Sequence, residues 1–130
     1  MKSMVSTMFK IISKNEFGKK GETIAVEYLK KHGYSILKRN FRFSRLGEID
    51  IIAREKEYLC FIEVKTRKST QFGMPSESVN TKKQEKIKKL SQIYLSNNNL
   101  NNQNMRFDII EVLFLKNNNI PKINVIKNAF

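Results

Sequence analysis

The sequence predicts an α/β domain in which two helices flank a mixed sheet of about five strands, in the order α-β-β-β-α-β-β. Two observations predict this class. Apolar residues recur at spacings of three and four between Phe17 and Leu29, and a second stretch to about Leu95 carries Val79, Ile87, Leu90 and Tyr94 on one side of a helix. Short runs rich in β-branched and aromatic residues lie between and after these two stretches.

The chain has 130 residues, which is enough for one domain with a single apolar core. Residues 1–14 are mixed in character and are interpreted as an N-terminal tail or an added turn, so the domain is predicted over 15–130. The first helix is expected to end at Gly33, which suits the position after a helix C-cap. A short strand over Tyr34–Leu37 and a basic loop over Lys38–Arg45 are expected to follow.

The next two runs, Glu48–Ala53 and Tyr58–Lys65, are predicted to form a hairpin across Arg54–Glu57. A four-residue loop sets Ala53 opposite Tyr58. It also sets Asp50 opposite Phe61, and Glu48 opposite Glu63. A slip of two residues would keep every side chain on its face, whereas a slip of one would not.

The remaining elements are a loop, a helix and two strands. The loop is expected over Lys68–Ser78, with Ser76 or Ser78 as the cap of a helix that runs to about Leu95. The last strands are expected at Arg106–Leu115 and Ile120–Ile126.

The formal net charge is +13, which indicates a polyanionic partner. Residues 1–47 carry a net charge of +8 and residues 67–130 a net charge of +7, but residues 48–66 carry −2. No apolar run is long enough for a membrane span. A single cysteine, Cys60, fits a reducing compartment, so a cytoplasmic location is expected, and a single histidine, His32, excludes sites that need two imidazoles.

The acidic segment gathers groups that suit metal chemistry. In the predicted hairpin Asp50 and Glu63 are diagonal neighbours, while Glu48 and Lys65 lie on the same face. Carboxylates crowded together are most easily explained by a bridging divalent cation, Mg²⁺ or Mn²⁺, with Lys65 placed to orient a water. The alternative is a cross-strand ladder of salt bridges on a solvated face.

These residues resemble a known motif. Gly47–Ala53 (GEIDIIA) and Phe61–Arg67 (FIEVKTR) resemble the PD-(D/E)xK nuclease motif, with Asp50, Glu63 and Lys65 in its three positions. More narrowly, the chain resembles the YraN family of uncharacterised bacterial proteins from about Asn15 to Phe130, through GKKGETIAVEYL, GYSILKRNFR, RFDIIEV and the closing KNAF. The resemblance implies a restriction-endonuclease-like core similar to that of archaeal Holliday-junction resolvases, which work as dimers, so a homodimer is one expectation.

The resemblance also extends the site. Glu22 matches the first-helix glutamate that resolvase-like relatives contribute to the metal site, although it could instead pair on the surface with Lys19 or Lys30. A Glu-Ile pair precedes Asp50 where the fuller motif has proline. Glu48 is therefore either an extra metal ligand or a boundary residue.

Basic residues around the acidic segment are candidate contacts to nucleic acid. They comprise Arg39, Arg42, Arg45, Thr66, Arg67, Lys82 and Lys83. The leading hypothesis is a metal-dependent endonuclease-like protein that acts on nucleic acid, with DNA favoured over RNA and branched DNA as one substrate. The alternatives are a binding module of the same fold that does not cut, and a basic RNA- or ribosome-associated adaptor.

Overall fold

The computed structural model describes residues 13–68, 79–115 and 120–130, and in these residues two helices lie on opposite faces of a five-stranded sheet. The elements follow the predicted order α-β-β-β-α-β-β. They are α1 (Lys14–Lys31), β1 (Ser35–Arg42), β2 (Glu48–Glu55), β3 (Tyr58–Arg67), α2 (Thr81–Asn97), β4 (Asn104–Leu113) and β5 (Lys122–Ile126). The predicted mixed α/β class is confirmed.

The strands lie side by side in chain order, from β1 to β5. The β1–β2, β2–β3 and β4–β5 pairs are antiparallel, whereas β3 and β4 are parallel. Parallel neighbours need a crossover connection, which α2 supplies. The sheet is therefore mixed because one helix is inserted between its third and fourth strands.

Side chains of β3 alternate between the two cores. Cys60, Ile62 and Val64 pack with α1, whereas Leu59 and Phe61 pack with α2. Cys60 is fully buried in the core on the α1 side. Alternation along a central strand is the physical basis of this two-layer packing.

The first helix begins slightly earlier than the sequence predicts. Ser13 is its N-cap and accepts a hydrogen bond from the Glu16 backbone N–H at 3.2 Å, so the helix starts at Lys14. Gly33 follows the end of the helix with a φ of 88°, a conformation that favours glycine. Residues 1–12 of the predicted tail lie outside the described residues.

The first strand is longer than predicted. The prediction ended the strand at Leu37 and assigned Lys38–Arg45 to a loop, but β1 continues to Arg42. Lys38, Arg39 and Phe41 pair with residues of β2. Because β1 is an edge strand, its outward positions accept charged side chains without loss of pairing, and hydrophobic periodicity therefore understates its length.

The predicted hairpin is present, but its predicted register is wrong. Lys56 and Glu57 form a two-residue turn, with Lys56 at a φ of 54°. Ala53 consequently pairs with Cys60 rather than with Tyr58, so Asp50 does not lie opposite Phe61. The same shift removes the predicted pairing of Glu48 with Glu63. The shift is two residues, so the assignment of β3 side chains to faces survives.

The second helix is capped by Asn80, whose side-chain Oδ1 accepts a hydrogen bond from the Lys83 backbone N–H at 2.9 Å. Ser76 and Ser78 therefore do not cap it, and both lie outside the described residues, as does the predicted loop from position 69 to 78. Asparagine is as good an N-cap as serine, and Asn80 directly precedes the first residue of the helix, Thr81. Neither described helix is long and apolar enough to span a membrane.

A buried ionic network stabilises the end of the sheet near the β2–β3 turn. The Arg106 guanidinium donates to both Asp108 carboxylate oxygens, with a shortest distance of 2.8 Å, and to Glu55 Oε1 at 2.8 Å. It also donates to the Tyr34 hydroxyl at 3.1 Å, while Lys127 Nζ donates to Glu55. The network therefore joins β2 and β4 to the C-terminal residues.

Candidate metal centre

Three carboxylates converge where β2 begins. Glu22 on α1 and Glu48 and Asp50 on β2 each offer one oxygen, and these oxygens lie within 4.8 Å of one another. All three side chains are partly buried. The structure thus brings together three of the four residues that were predicted as metal ligands.

A break in the alternation of β2 positions Asp50. Ile49 packs on the α2 side together with Ile52, whereas Ile51 packs on the α1 side. Strict alternation would have placed Ile49 and Ile51 on one face. Asp50 lies at the break, and its Oδ2 accepts a hydrogen bond from the Val64 backbone N–H at 2.8 Å.

Asn40 on β1 lies beside this break and was missed by the sequence analysis. It has a φ of 53° and lies between Arg39, which pairs with Ile51, and Phe41, which pairs with Ile49. Asn40 Nδ2 donates to Glu22 Oε2 at 3.1 Å and to Glu48 Oε1 at 2.9 Å. Asparagine tolerates the left-handed region, but nothing in the hydrophobic pattern marks this position. Asn40 therefore holds two of the carboxylates close together.

The carboxylates differ in their electrostatics. Burial acts to raise the pKa of Glu48, but hydrogen bonds from Asn40 and Arg42 outweigh it and lower that pKa. Burial raises the pKa of Asp50 to about 8, with the charges of Glu63 and Glu22 adding to the rise and the Val64 N–H opposing it. Without a cation nearby, Asp50 is therefore protonated at neutral pH.

Glu63 lies on the α2 side of this group and is held by lysines. Its side chain is 7% exposed, and its Oε1 accepts a hydrogen bond from Lys83 Nζ of α2. Lys65 Nζ lies 3.6 Å from the same oxygen. Burial and the neighbouring Lys83 charge lower the pKa of Lys65, which brings its ammonium closer to a neutral amine. Glu63 remains close enough to Asp50 to raise the pKa of that carboxyl.

Four of the predicted phosphate contacts are open to solvent. Arg39, Arg45 and Lys82 are exposed, and the Arg42 side chain is 74% exposed although it pairs with Glu48 at 2.5 Å. Arg39 also donates to the Thr23 hydroxyl at 3.5 Å. These side chains lie on β1, on the β1–β2 turn and at the start of α2, and Arg42 pairs directly with one of the carboxylates.

Two other predicted contacts point into the protein. Thr66 packs against Gly21 of α1. The Arg67 side chain is 12% exposed and pairs with the buried Glu111 at 3.5 Å. Alternation along β3 does not reveal that these side chains are covered, because their partners, Gly21 and Glu111, lie on α1 and β4.

A cleft of about 380 Å³ adjoins Glu48. One wall is formed by Leu46, Gly47 and Glu48, and the other by α2 with its lysines. Lys82, Lys83 and Lys86 all line this cleft. The cleft therefore places positive charge directly beside Glu48.

The mixed five-stranded sheet with a helix on each face defines an α/β protein whose core is consistent with the restriction-endonuclease-like architecture. The chain belongs to the uncharacterised protein family UPF0102, the YraN family, which matches residues 21–112. The resemblance to the YraN family is thus confirmed.

Curated relatives are similar over most of their length. A UPF0102 protein of Acetivibrio thermocellus is 50% identical over 121 residues, which cover 91% of this chain and 93% of the relative. One from Caldicellulosiruptor bescii is 52% identical over 116 residues, which cover 88% of this chain and 97% of the relative. A third, from Clostridium kluyveri, is 48% identical over 115 residues, which cover 88% of this chain and 93% of the relative.

Proposed function

We propose that this protein is a metal-dependent endonuclease-like protein that binds nucleic acid and hydrolyses phosphodiester bonds, with DNA, including branched DNA, as its substrate. One observation carries the proposal: oxygens of Glu22, Glu48 and Asp50 lie within 4.8 Å of one another, beside Glu63 and Lys65. A purely structural role does not require so many carboxylates in one place.

The donor set fits a hard divalent cation. Mg²⁺ and Mn²⁺ prefer oxygen ligands, and Mg²⁺ is commonly held by one or two carboxylates together with waters and phosphate oxygens. Asp50, Glu22 and Glu48 would hold the cation, with Glu63 as the fourth candidate. When bound, such a cation polarises a phosphoryl oxygen and lowers the pKa of a coordinated water.

The electrostatics of Asp50 support this assignment over a ladder of salt bridges. In a ladder each carboxylate faces a cation, which lowers its pKa. The pKa of Asp50 is raised to about 8 instead, by burial and then by the charge of Glu63. Among the described residues, no neighbouring positive charge offsets the cost of burying the Asp50 carboxylate. A bound cation would therefore stabilise its charged form.

Lys65 supplies the proton chemistry. Its ammonium lies beside Glu63 on β3, and its lowered pKa leaves a larger fraction of the side chain as the neutral amine, the form that can accept a proton. It would orient the attacking water and accept its proton, or stabilise charge that develops on the phosphate.

Substrate binding is assigned to the exposed basic residues. Arg39, Arg42, Arg45 and Lys82 are accessible. Arg42 pairs with Glu48, and Lys82 lines the cleft beside Glu48. With a net charge of +13, the chain has the electrostatic character of a phosphate-backbone binder. These contacts would position the backbone without reading its sequence.

The test is cleavage of a panel of labelled duplex, single-stranded, flap and four-way DNAs with Mg²⁺ or Mn²⁺. Wild type is expected to cut at least one substrate, and Asp50→Asn is expected to cut none. Glu27→Gln, which removes an exposed carboxylate on α1, is the matched control and should cut as wild type does. Wild-type protein that binds the panel but cuts nothing with either metal would falsify the nuclease assignment and favour the non-cutting binding module.

A further inference from the structure

Lys83 takes part in the carboxylate site rather than only in its basic surroundings. Its Nζ donates a hydrogen bond to Glu63 Oε1, the same oxygen that lies 3.6 Å from Lys65 Nζ. Two ammonium groups therefore converge on one oxygen of a carboxylate whose side chain is only 7% exposed. Because a buried carboxylate without a partner is costly, these contacts stabilise Glu63 in the absence of a metal.

With this contact in place, Glu63 lies outside the group formed by the other carboxylates. Glu22, Glu48 and Asp50 meet within 4.8 Å, and Glu63 is not among them. An oxygen that accepts from an ammonium has less electron density for a cation, and a lysine beside a divalent cation repels it. Lys83 and a metal therefore compete for Glu63.

Lys65 and Lys83 differ in how freely their side chains can move away from Glu63. Lys65 lies on β3, the central strand, and its side chain is 21% exposed. Lys83 lies in the first turn of α2, its side chain is 40% exposed, and it lines the cleft between α2 and the β1–β2 turn. A long lysine side chain can move its ammonium into that cleft by changing rotamers alone.

We propose that Lys83 is a positioning residue that holds Glu63 while the metal is absent and releases it when a divalent cation binds. The released ammonium moves into the cleft beside Glu48, where it contacts a phosphate of the bound nucleic acid. This inference rests on the proposed metal site. It adds that metal binding and phosphate binding are coupled through one lysine.

The experiment measures Mn²⁺ affinity by calorimetry for wild type, Lys83→Met and Lys86→Met. Lys86 is the matched control, since it lines the same cleft on the same helix and loses the same charge without contacting Glu63 in the described residues. A charge-assisted hydrogen bond is worth roughly 1.5–3 kcal/mol, so Lys83→Met is expected to bind Mn²⁺ about tenfold to a hundredfold more tightly than Lys86→Met.

A second pair of variants keeps the test valid if Lys83→Met does not fold. Lys83→Gln keeps a hydrogen-bond donor for Glu63 without the charge, and Lys86→Gln matches it. Lys83→Gln should also bind Mn²⁺ more tightly than its control. Without metal, Lys83→Met should melt below wild type, and Mn²⁺ should raise its melting temperature by more than it raises that of wild type.

The outcomes separate this inference from the nuclease proposal. Tighter Mn²⁺ binding by both Lys83 variants supports it even if wild type cuts no DNA, because the readout is binding. Equal or weaker binding than in the Lys86 controls, or no Mn²⁺ binding by any variant, overturns it. Cleavage by wild type together with unchanged affinity in the Lys83 variants would overturn this inference alone.

Discussion

Gly21 lies against Thr66 so closely that a Cβ atom on Gly21 would come within 1.9 Å of Thr66 Oγ1. The contact packs the backbone of α1 directly against the Thr66 side chain of β3. It places Glu22, the next residue of α1, beside the start of β2, where it meets Glu48 and Asp50. A helical glycine, which would otherwise weaken the helix, thus positions a candidate ligand.

Gly21→Ala is therefore expected to destabilise the protein. In a free helix the exchange would gain about 1 kcal/mol, but the clash with Thr66 forces a shift that costs about 1–3 kcal/mol. Gly18→Ala is the matched control on the same helix, because an added Cβ there meets nothing within 4 Å. Urea denaturation should show a loss for Gly21→Ala and a small gain for Gly18→Ala. Shifts of the same sign and size would contradict the contact.

The raised pKa of Asp50 predicts a pH-dependent stability in the presence of chelator. Burial and the charge of Glu63 raise this pKa from 3.8 to about 8, so the folded protein binds a proton that the unfolded chain releases. That stabilisation is complete below about pH 4 and is lost as pH rises through about 8.

Asp50→Asn should lack this loss, because an amide does not ionise and its oxygen can still accept from the Val64 N–H. Its melting temperature minus that of wild type should grow between about pH 5 and pH 8. A difference that stays constant over this range would contradict the raised pKa.

The Arg106 network predicts a large effect far from the carboxylate site. Arg106→Met leaves Asp108, which is fully buried, and Glu55 without their guanidinium, and should cost about 3–5 kcal/mol. Lys127→Met is the control, since Lys127 also pairs with Glu55 but is half exposed and should cost about 0–1 kcal/mol. Equal losses of unfolding free energy for the two variants would contradict a dominant role of Arg106.

The exposed arginines predict the salt dependence of DNA binding. The logarithm of the association constant should fall linearly with the logarithm of salt concentration, with a slope of about −0.9 for each phosphate neutralised. Replacing Arg39 and Arg42 with alanine should flatten the slope. Lys56→Ala, which removes an exposed charge at the opposite end of β2, should leave it unchanged. An affinity independent of salt would favour a protein partner and the adaptor hypothesis.

The order of the elements and the faces of the β3 side chains were predictable from the sequence, because periodicity and local chemistry determine them. The two runs and the short segment between them identified β2 and β3 as a hairpin. Because side chains alternate along a strand, Glu63 and Lys65 stay on the α2 side although the register is shifted by two residues. The position of Glu22 depended on the family resemblance, since helix periodicity leaves a residue beside the apolar stripe free to face either way.

Contacts between distant elements were beyond sequence reasoning. The break in alternation at Asp50 lies beside Asn40 of the neighbouring strand, whose positive φ no sequence pattern marks. The contact of Lys83 with Glu63 depends on where α2 docks, and Thr66 was assigned to phosphate although it packs on Gly21. Each of these positions is determined by tertiary packing, which overrides local pattern.

The most direct test of the carboxylate site is a Mn²⁺ titration of wild type, Lys65→Ala and Asp50→Asn at about pH 8.5, above the raised pKa of Asp50. Wild type is expected to bind Mn²⁺, and Lys65→Ala should bind it at least as tightly, because an ammonium is not a ligand and repels a cation. Asp50→Asn should lose binding, since it removes a charge and replaces a carboxylate oxygen with an amide. Equal Mn²⁺ affinity in wild type and Asp50→Asn would contradict the metal site.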